Sequence, residues 1–198
     1  MPENGPLILS RKFDEALAFA VDLHRKQPRK GTGVPYVSHL LSVAALVLEH
    51  GGSEEQAIAA LLHDAVEDQG GKPTAEAIRA RFGDLVADIV DGCTDTDVFP
   101  KPPWRARKEA YLARVRREPA HVRLVSAADK LHNTRTMVTD LRILGPSLWN
   151  RFNASRDETL WYLGALVEAF REAGTAPIVD ELARTVAELE VVSQSGPG

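Results

Sequence analysis

Val122-Arg123-Leu124-Val125-Ser126-Ala127-Ala128-Asp129-Lys130-Leu131-His132-Asn133-Thr134-Arg135-Thr136-Met137-Val138 contains neither Gly nor Pro, and its residue types separate at the helical step. Leu124, Ala127, Leu131 and Val138 project to one side, while Asp129, His132, Asn133 and Thr136 cluster within about 100° on the other. The stretch predicts a helix whose polar face carries titratable groups. Asp129 lies within Leu-Val-Ser-Ala-Ala-Asp-Lys-Leu, surroundings apolar enough that an unpaired carboxylate would be costly. A metal ion would compensate it; so would a salt bridge to Lys130, Arg135 or a distant base.

An earlier segment has the same form. Ser53 followed by Gln56 makes a capping box, and Glu54 and Glu55 place acids in the first turn, where the helix dipole favours them. The helix that follows carries Ile58, Leu61, Leu62 and Ala65 as an apolar stripe, opposite His63, Asp64, Glu67 and Asp68. A solvated surface accounts for acids alone, but less well for a His-Asp pair one turn before two more acids.

Working outward, helices are expected over Arg11 to Lys26, with Phe13, Leu17, Ala20 and His24 in register, and from Ser38 to His50, stopped by Gly51 and Gly52. His39 falls in the first turn of the second. Pro28, Gly31, Gly33 and Pro35 impose a loop between them. Further helices are expected over Thr74 to Phe82, Asp84 to Asp91, Trp104 to Arg117, Pro119 to Leu144, Ala154 to Ala173 and Ile178 to Val192. No run alternates as a strand would. The Asp- and Pro-rich loop from Thr94 to Pro103 is placed to cover a site. Ser193 to Gly198 reads as a frayed tail.

Composition narrows the function classes. The 198 residues fit one domain, and 44% hydrophobic with 26% charged residues is ordinary for a globular chain. Cys93 is the lone cysteine, which excludes an intramolecular disulfide and a thiolate zinc cluster and fits a reducing cytoplasm. The N-terminus has no basic region leading into an apolar stretch, and no apolar run approaches the roughly 20 residues needed to span a bilayer. A net charge of -4 argues against a duplex nucleic-acid binder that works by global charge. Two local basic clusters stand out, Arg25, Lys26, Arg29, Lys30 and then Lys101, Arg105, Arg107, Lys108.

Together the polar segments offer two imidazoles and two carboxylates, a set suited to Mn²⁺, Fe²⁺, Zn²⁺ or Mg²⁺. Such an ion lowers the pKa of bound water and draws off charge developing at phosphorus. Glu67 and Asp68 would then orient that water or accept its proton.

Arg29-Lys30 through Pro35-Tyr36 to His39, then Leu62-His63-Asp64-Ala65-Val66-Glu67-Asp68, then Ala128-Asp129-Lys130-Leu131-His132-Asn133-Thr134-Arg135-Thr136 resemble the hydrolase domain of RelA/SpoT homologues, over roughly residues 11 to 170. The resemblance implies an all-α fold, a single-domain HD-type bundle of about eight to ten helices over 1–192, with 193–198 as the tail. It implies one manganese ion held by His39, His63, Asp64 and Asp129, with Glu67 and Asp68 catalytic. It places substrate contacts at Arg29, Lys30, Asn133 and Thr136. The reaction implied is removal of the 3′-pyrophosphate from an alarmone, (p)ppGpp or (p)ppApp, by a stand-alone small alarmone hydrolase of the stringent response. Leu40 after the first ligand, Gln69-Gly70-Gly71-Lys72 after the acid pair, Lys130 where the bifunctional enzymes often have Arg, and the segment around Cys93 to Arg105 depart from the larger members and leave the base open. The alternatives are another HD nucleotide phosphohydrolase, which the Arg29-Lys30 loop and Asn133 to Thr136 tell against, and a non-catalytic nucleotide sensor, which intact Glu67 and Asp68 tell against.

Supporting residues have plainer readings. Arg29 and Lys30 direct cations toward a phosphate, or form a solvated loop. Lys101, Arg105 and Lys108 hold distal phosphates or begin a surface helix. Tyr36 caps the pocket against a base or packs on the core. His24 reads as an interior histidine, His132 as a group beside the metal or a structural one, and His50 and His121 as surface or capping residues. Trp149, Phe152, Trp161, Tyr162 and Phe170 seal the core, with a subunit contact, and hence an oligomer, as the alternative.

Overall fold

Ala57, Ile58, Ala59, Ala60, Leu61 and Leu62 are consecutive and have no exposed surface, which makes the helix they form the centre of the molecule. A helix that is apolar all round must be enclosed by others. The computed structural model describes residues 7–95 and 100–194. The described residues form α1 (Arg11–His24), α2 (Val37–Glu49), α3 (Glu54–Leu62), α4 (Ala65–Asp68), α5 (Lys72–Phe82), α6 (Asp84–Cys93), α7 (Trp104–Val115), α8 (Ala120–Leu144), α9 (Arg156–Ala173) and α10 (Pro177–Gln194), with a 3-10 helix over Gly145–Arg151. Among them there is no strand, only one isolated antiparallel bridge between Pro28 and Pro35 that closes the first loop. No helix among the described residues is long and apolar enough to cross a membrane.

The all-α expectation holds, and local chemistry explains several boundaries. Ser10 caps α1 by accepting from Lys12 N at 3.2 Å. Ser53 and Gln56 form the expected reciprocal box at the start of α3, and Ser155 with Glu158 forms a second one at α9. Gly145, at φ +59°, ends α8 in the left-handed conformation that glycine adopts without strain.

The central helices α3 and α8 pack together, with α1, α2 and α6 against them and α10 along the length of α8. At 25 residues α8 is about 37 Å long and crosses the whole bundle. Val122, Val125, Ala127, Ala128 and Leu131 of α8 are buried with Leu61, Leu62, Val43 and Val47 in one core.

Two expectations change. The helix carrying the His-Asp pair is not continuous: α3 stops at Leu62, and His63 and Asp64 form a turn before the short α4. The His63 ring takes the Ala60 carbonyl at 2.8 Å, the acceptor that the Asp64 N–H would use in an unbroken helix. The pair therefore leaves the helical stripe, and His63 is buried rather than on a solvated face. The last helix also runs to Gln194, where Ser193 Oγ donates to Leu189 O at 2.6 Å, so Ser193 and Gln194 of the expected tail are helical. Residues 195–198, and 96–99 of the loop expected to cover the site, lie outside the described residues.

Candidate metal centre and nucleotide cavity

His39 projects from the first turn of α2, His63 and Asp64 from the break between α3 and α4, and Asp129 from the middle of α8. These elements meet so that His39, His63 and Asp129, all buried, bring one ligand atom each within 4.8 Å of the others. His39 Nε2 lies 3.2 Å from His63 Nε2 and 3.3 Å from Asp129 Oδ1. Asp64 Oδ2 joins the group at 2.9 Å from His63 Nε2 and 3.5 Å from His39 Nε2.

The surroundings decide which lone pairs face inward. His63 Nδ1–H is committed to the Ala60 carbonyl, which leaves Nε2 as the nitrogen that faces the centre and would take a metal once its proton is displaced. His39 Nδ1 lies 2.7 Å from His132 Nδ1. Burial, then His39 and Arg29, lower the pKa of His132 to about 4, so its ring is neutral and can accept. If His39 Nδ1–H donates there, His39 Nε2 is bare. Tyr36 Oη–H donates to Asp64 Oδ2 at 2.5 Å, and Asp129 accepts from Lys130 Nζ at 2.6 Å and Asn133 Nδ2 at 2.5 Å. Two inward-facing imidazole nitrogens and two oriented carboxylates fit a divalent ion of the hard or borderline kind.

Electrostatics agree. Burial opposes a charge on His63, but Asp64 beside it and Asp129 outweigh burial and hold its pKa well above 6.5. Burial likewise opposes the Asp129 carboxylate, yet Lys130 and the two histidines hold it well below the usual range. The cluster thus attracts a positive charge at its centre.

Asp64 and Asp129 open onto a cavity of about 750 Å³. Glu67 and Asp68 stand on its wall. Lys101 Nζ donates to Glu67 Oε1 at 2.7 Å, and Gln27 Nε2 donates to Asp68 Oδ2 at 2.7 Å. Partial desolvation raises the Asp68 pKa against the Gln27 hydrogen bond, and Asp64 and Glu67 push it further. Lys130 and Lys108 line the cavity, and Lys108 and Arg107 both pair with Asp95.

The expected contact residues also reach this cavity, though several are engaged elsewhere. Arg29 NH2 donates to Asn133 Oδ1 at 2.7 Å, so Asn133 bridges Asp129 and Arg29. Thr136 Oγ1 donates to the His132 carbonyl. Lys30 is exposed, with Nζ 3.4 Å from Asn153 Oδ1. Tyr36 lines the cavity, stacks on His24 at 5.1 Å and orients Asp64 through its hydroxyl. His50 caps α2, as expected, with Nδ1 on the Leu46 carbonyl. Gln27, Asp95, Asp140 and Arg151 line the cavity without having been singled out in the sequence. Asp140 had a signal: it continues the stripe of Asp129, Asn133 and Thr136 at the helical step.

Residues 16–160 match the family model described as HD domain. A guanosine-3′,5′-bis(diphosphate) 3′-pyrophosphohydrolase MESH1 from Xenopus tropicalis is 37% identical over 153 residues, 76% of this chain and 78% of that protein. The bifunctional (p)ppGpp synthase/hydrolase SpoT of Escherichia coli is 33% identical over 64% of this chain, which spans only 18% of its length. A guanosine-3′,5′-bis(diphosphate) 3′-pyrophosphohydrolase from Aquifex aeolicus is likewise spanned over 18% of its length. Among solved structures, a metazoan ortholog of SpoT that hydrolyzes ppGpp superposes with a TM-score of 0.76 at 28% identity, covering 92% of this chain and 97% of the other. The chain therefore belongs to the HD-domain family, alongside relatives named as guanosine-3′,5′-bis(diphosphate) 3′-pyrophosphohydrolases.

Proposed function

We propose that the chain is a metal-dependent 3′-pyrophosphohydrolase acting on (p)ppGpp, with one Mn²⁺ held by His39, His63, Asp64 and Asp129. The observation that carries the reading is the convergence of His39, His63 and Asp129 ligand atoms within 4.8 Å at the wall of a cavity lined by both acids and cations. The relatives' activity points to the same substrate.

The ion, when bound, supplies a water of lowered pKa and a Lewis acid for the phosphoryl oxygens. The chain's residues do the rest. Glu67 or Asp68 accepts the proton of the attacking water, and the raised pKa of Asp68 suits that task. Attack falls on the phosphorus bonded to O3′; the P–O3′ bond breaks, pyrophosphate leaves, and O3′ gains a proton. Arg29, Lys101, Lys108 and Lys130 offset the charge of the phosphates. Lys101 holds Glu67 in place until a phosphate competes for it.

The test is to incubate the purified protein and Mn²⁺ with ppGpp, ppApp and ordinary nucleotides and to identify the products. Pyrophosphate released from an alarmone, and lost in Asp64→Ala, is the expected result. Orthophosphate from ordinary nucleotides only, or unchanged activity in Asp64→Ala, overturns the reading.

A further inference from the structure

The cavity wall combines acids and cations with apolar side chains, and these ask for different parts of a ligand. Near Asp129 it carries the metal-binding cluster and the amines of Lys108 and Lys130. Eleven residues along α8, roughly 16 Å further on, the ion pair of Asp140 with Arg151 stands in the same lining, which also includes the apolar Met137, Leu148, Phe152 and Leu163. A charged phosphate is poorly matched to apolar walls and an already neutralised pair. A flat, uncharged ring with polar edges is well matched.

The pair is held in place. Arg151 NH1 donates to Asp140 Oδ2 at 2.8 Å, and the two side chains are 22% and 25% exposed. Among the described residues Asp140 has no other hydrogen-bond partner. Arg151 lies across Gly31: a Cβ there would stand 2.6 Å from Arg151 Cδ, so the missing side chain makes room for it. The arginine is thereby fixed against the loop that carries Arg29 and Lys30. Arg29 itself reaches α8 at Asn133, between Asp129 and Asp140 in the chain.

We propose that Asp140, braced by Arg151, reads the base and makes the enzyme prefer guanine to adenine nucleotides. The inference rests on the pyrophosphohydrolase reading and deepens it. A carboxylate only accepts, and guanine offers it two adjacent donors, N1–H and the exocyclic amine. Arg151 stands beside it as a donor for O6. Adenine turns an acceptor, N1, toward the same carboxylate, which leaves it facing a lone pair. An amide at position 140 reverses this, because it accepts from N6 while donating to a ring nitrogen of adenine.

The experiment compares kcat/KM for ppGpp and ppApp in the wild type and in Asp140→Asn, with Asp140→Ala as a second variant and thermal melting to verify folding. The wild type should favour ppGpp by roughly tenfold or more. Asp140→Ala should erase most of that preference, and Asp140→Asn should carry it toward ppApp. An unaltered ratio in both folded variants, or a wild type without preference, removes the inference and leaves the pyrophosphohydrolase reading standing. Hydrolysis of neither alarmone removes that reading, and the inference falls with it.

Discussion

Replacing His132 by Leu should weaken metal binding without emptying the site of any ligand. His39 is fully buried, and its Nδ1 has one partner among the described residues, His132 Nδ1 at 2.7 Å. In that arrangement His39 carries its proton on Nδ1 and presents a bare Nε2 to Asp129 and His63. Without an acceptor at 132, either the Nδ1–H stays buried and unpaired, or the proton moves to Nε2 and blocks ligation. Leaving a buried donor unpaired costs about 1–3 kcal/mol. That corresponds to a loss of roughly 5- to 150-fold in Mn²⁺ affinity, which brackets the usual effect of groups that orient a metal-bound histidine. Isothermal titration calorimetry on metal-free protein measures it directly. His132→Asn should recover much of the loss, since its carbonyl oxygen can accept from the same N–H. Wild-type affinity in a folded His132→Leu protein, or no recovery in His132→Asn, would refute the reasoning.

Three further outcomes follow from the same geometry. Because Asp64 and Asp129 hold the pKa of His63 well above 6.5, its charge stabilises the metal-free fold fully below 6.5 and fades as pH rises through the elevated value. Melting in EDTA should therefore drop toward alkaline pH, whereas Mn²⁺, which replaces that proton, should flatten the trend; a metal-free melting temperature that climbs over this window contradicts it. Asp68, with its raised pKa, must lose its proton to act as base, so kcat/KM should decline as pH falls through a value higher than that of an ordinary aspartate. Asp68→Asn should leave a much lower, flatter profile, and an unmoved acid limb would assign it to another group. Leu61→Ala, at a site with no exposed surface in the central helix, should lower stability by about 2–5 kcal/mol in urea unfolding, and less than about 1 kcal/mol would mean that the core collapses around the gap.

The sequence carried the helices because their ends are local chemistry. Ser53 with Gln56, and Gly51 after His50, act within a few residues and could be read without neighbours. Where tertiary contacts decide, the reading slipped. The helix expected over Asp84 to Asp91 continues through Gly92 to Cys93, and the close approach of α8 explains the glycine: a Cβ on Gly92 would lie 2.5 Å from Val122 Cγ1. The break at His63 had no Gly or Pro to announce it, since it depends on an imidazole competing for the Ala60 carbonyl. The site divides the same way. His39, His63 and Asp129 could be placed by motif order, and Asp129 also by its polar helical face. Gln27, which orients Asp68 from 41 residues away, belongs to a loop, and Arg151, which lies over Gly31, ends the 3-10 helix; no periodicity encodes the approach of either.

The buried cluster explains why the metal and the fold are coupled. Two carboxylates, Asp64 and Asp129, face two imidazoles, with Lys130 on the outer oxygen of Asp129. With His63 protonated, the group holds two negative and two positive charges, and burial is tolerable because each is paired. A divalent ion must displace the His63 proton and then meets two carboxylates and Lys130, so its binding releases a proton and strengthens as pH rises. The same helices that form the core would then gain stability from the ion. Removing Lys130 should therefore tighten metal binding while destabilising the metal-free protein, and Lys130→Met, which keeps the stem buried beside Tyr111, separates the two effects. A variant that binds Mn²⁺ more weakly than wild type would show that the amine positions Asp129 more than it repels the ion.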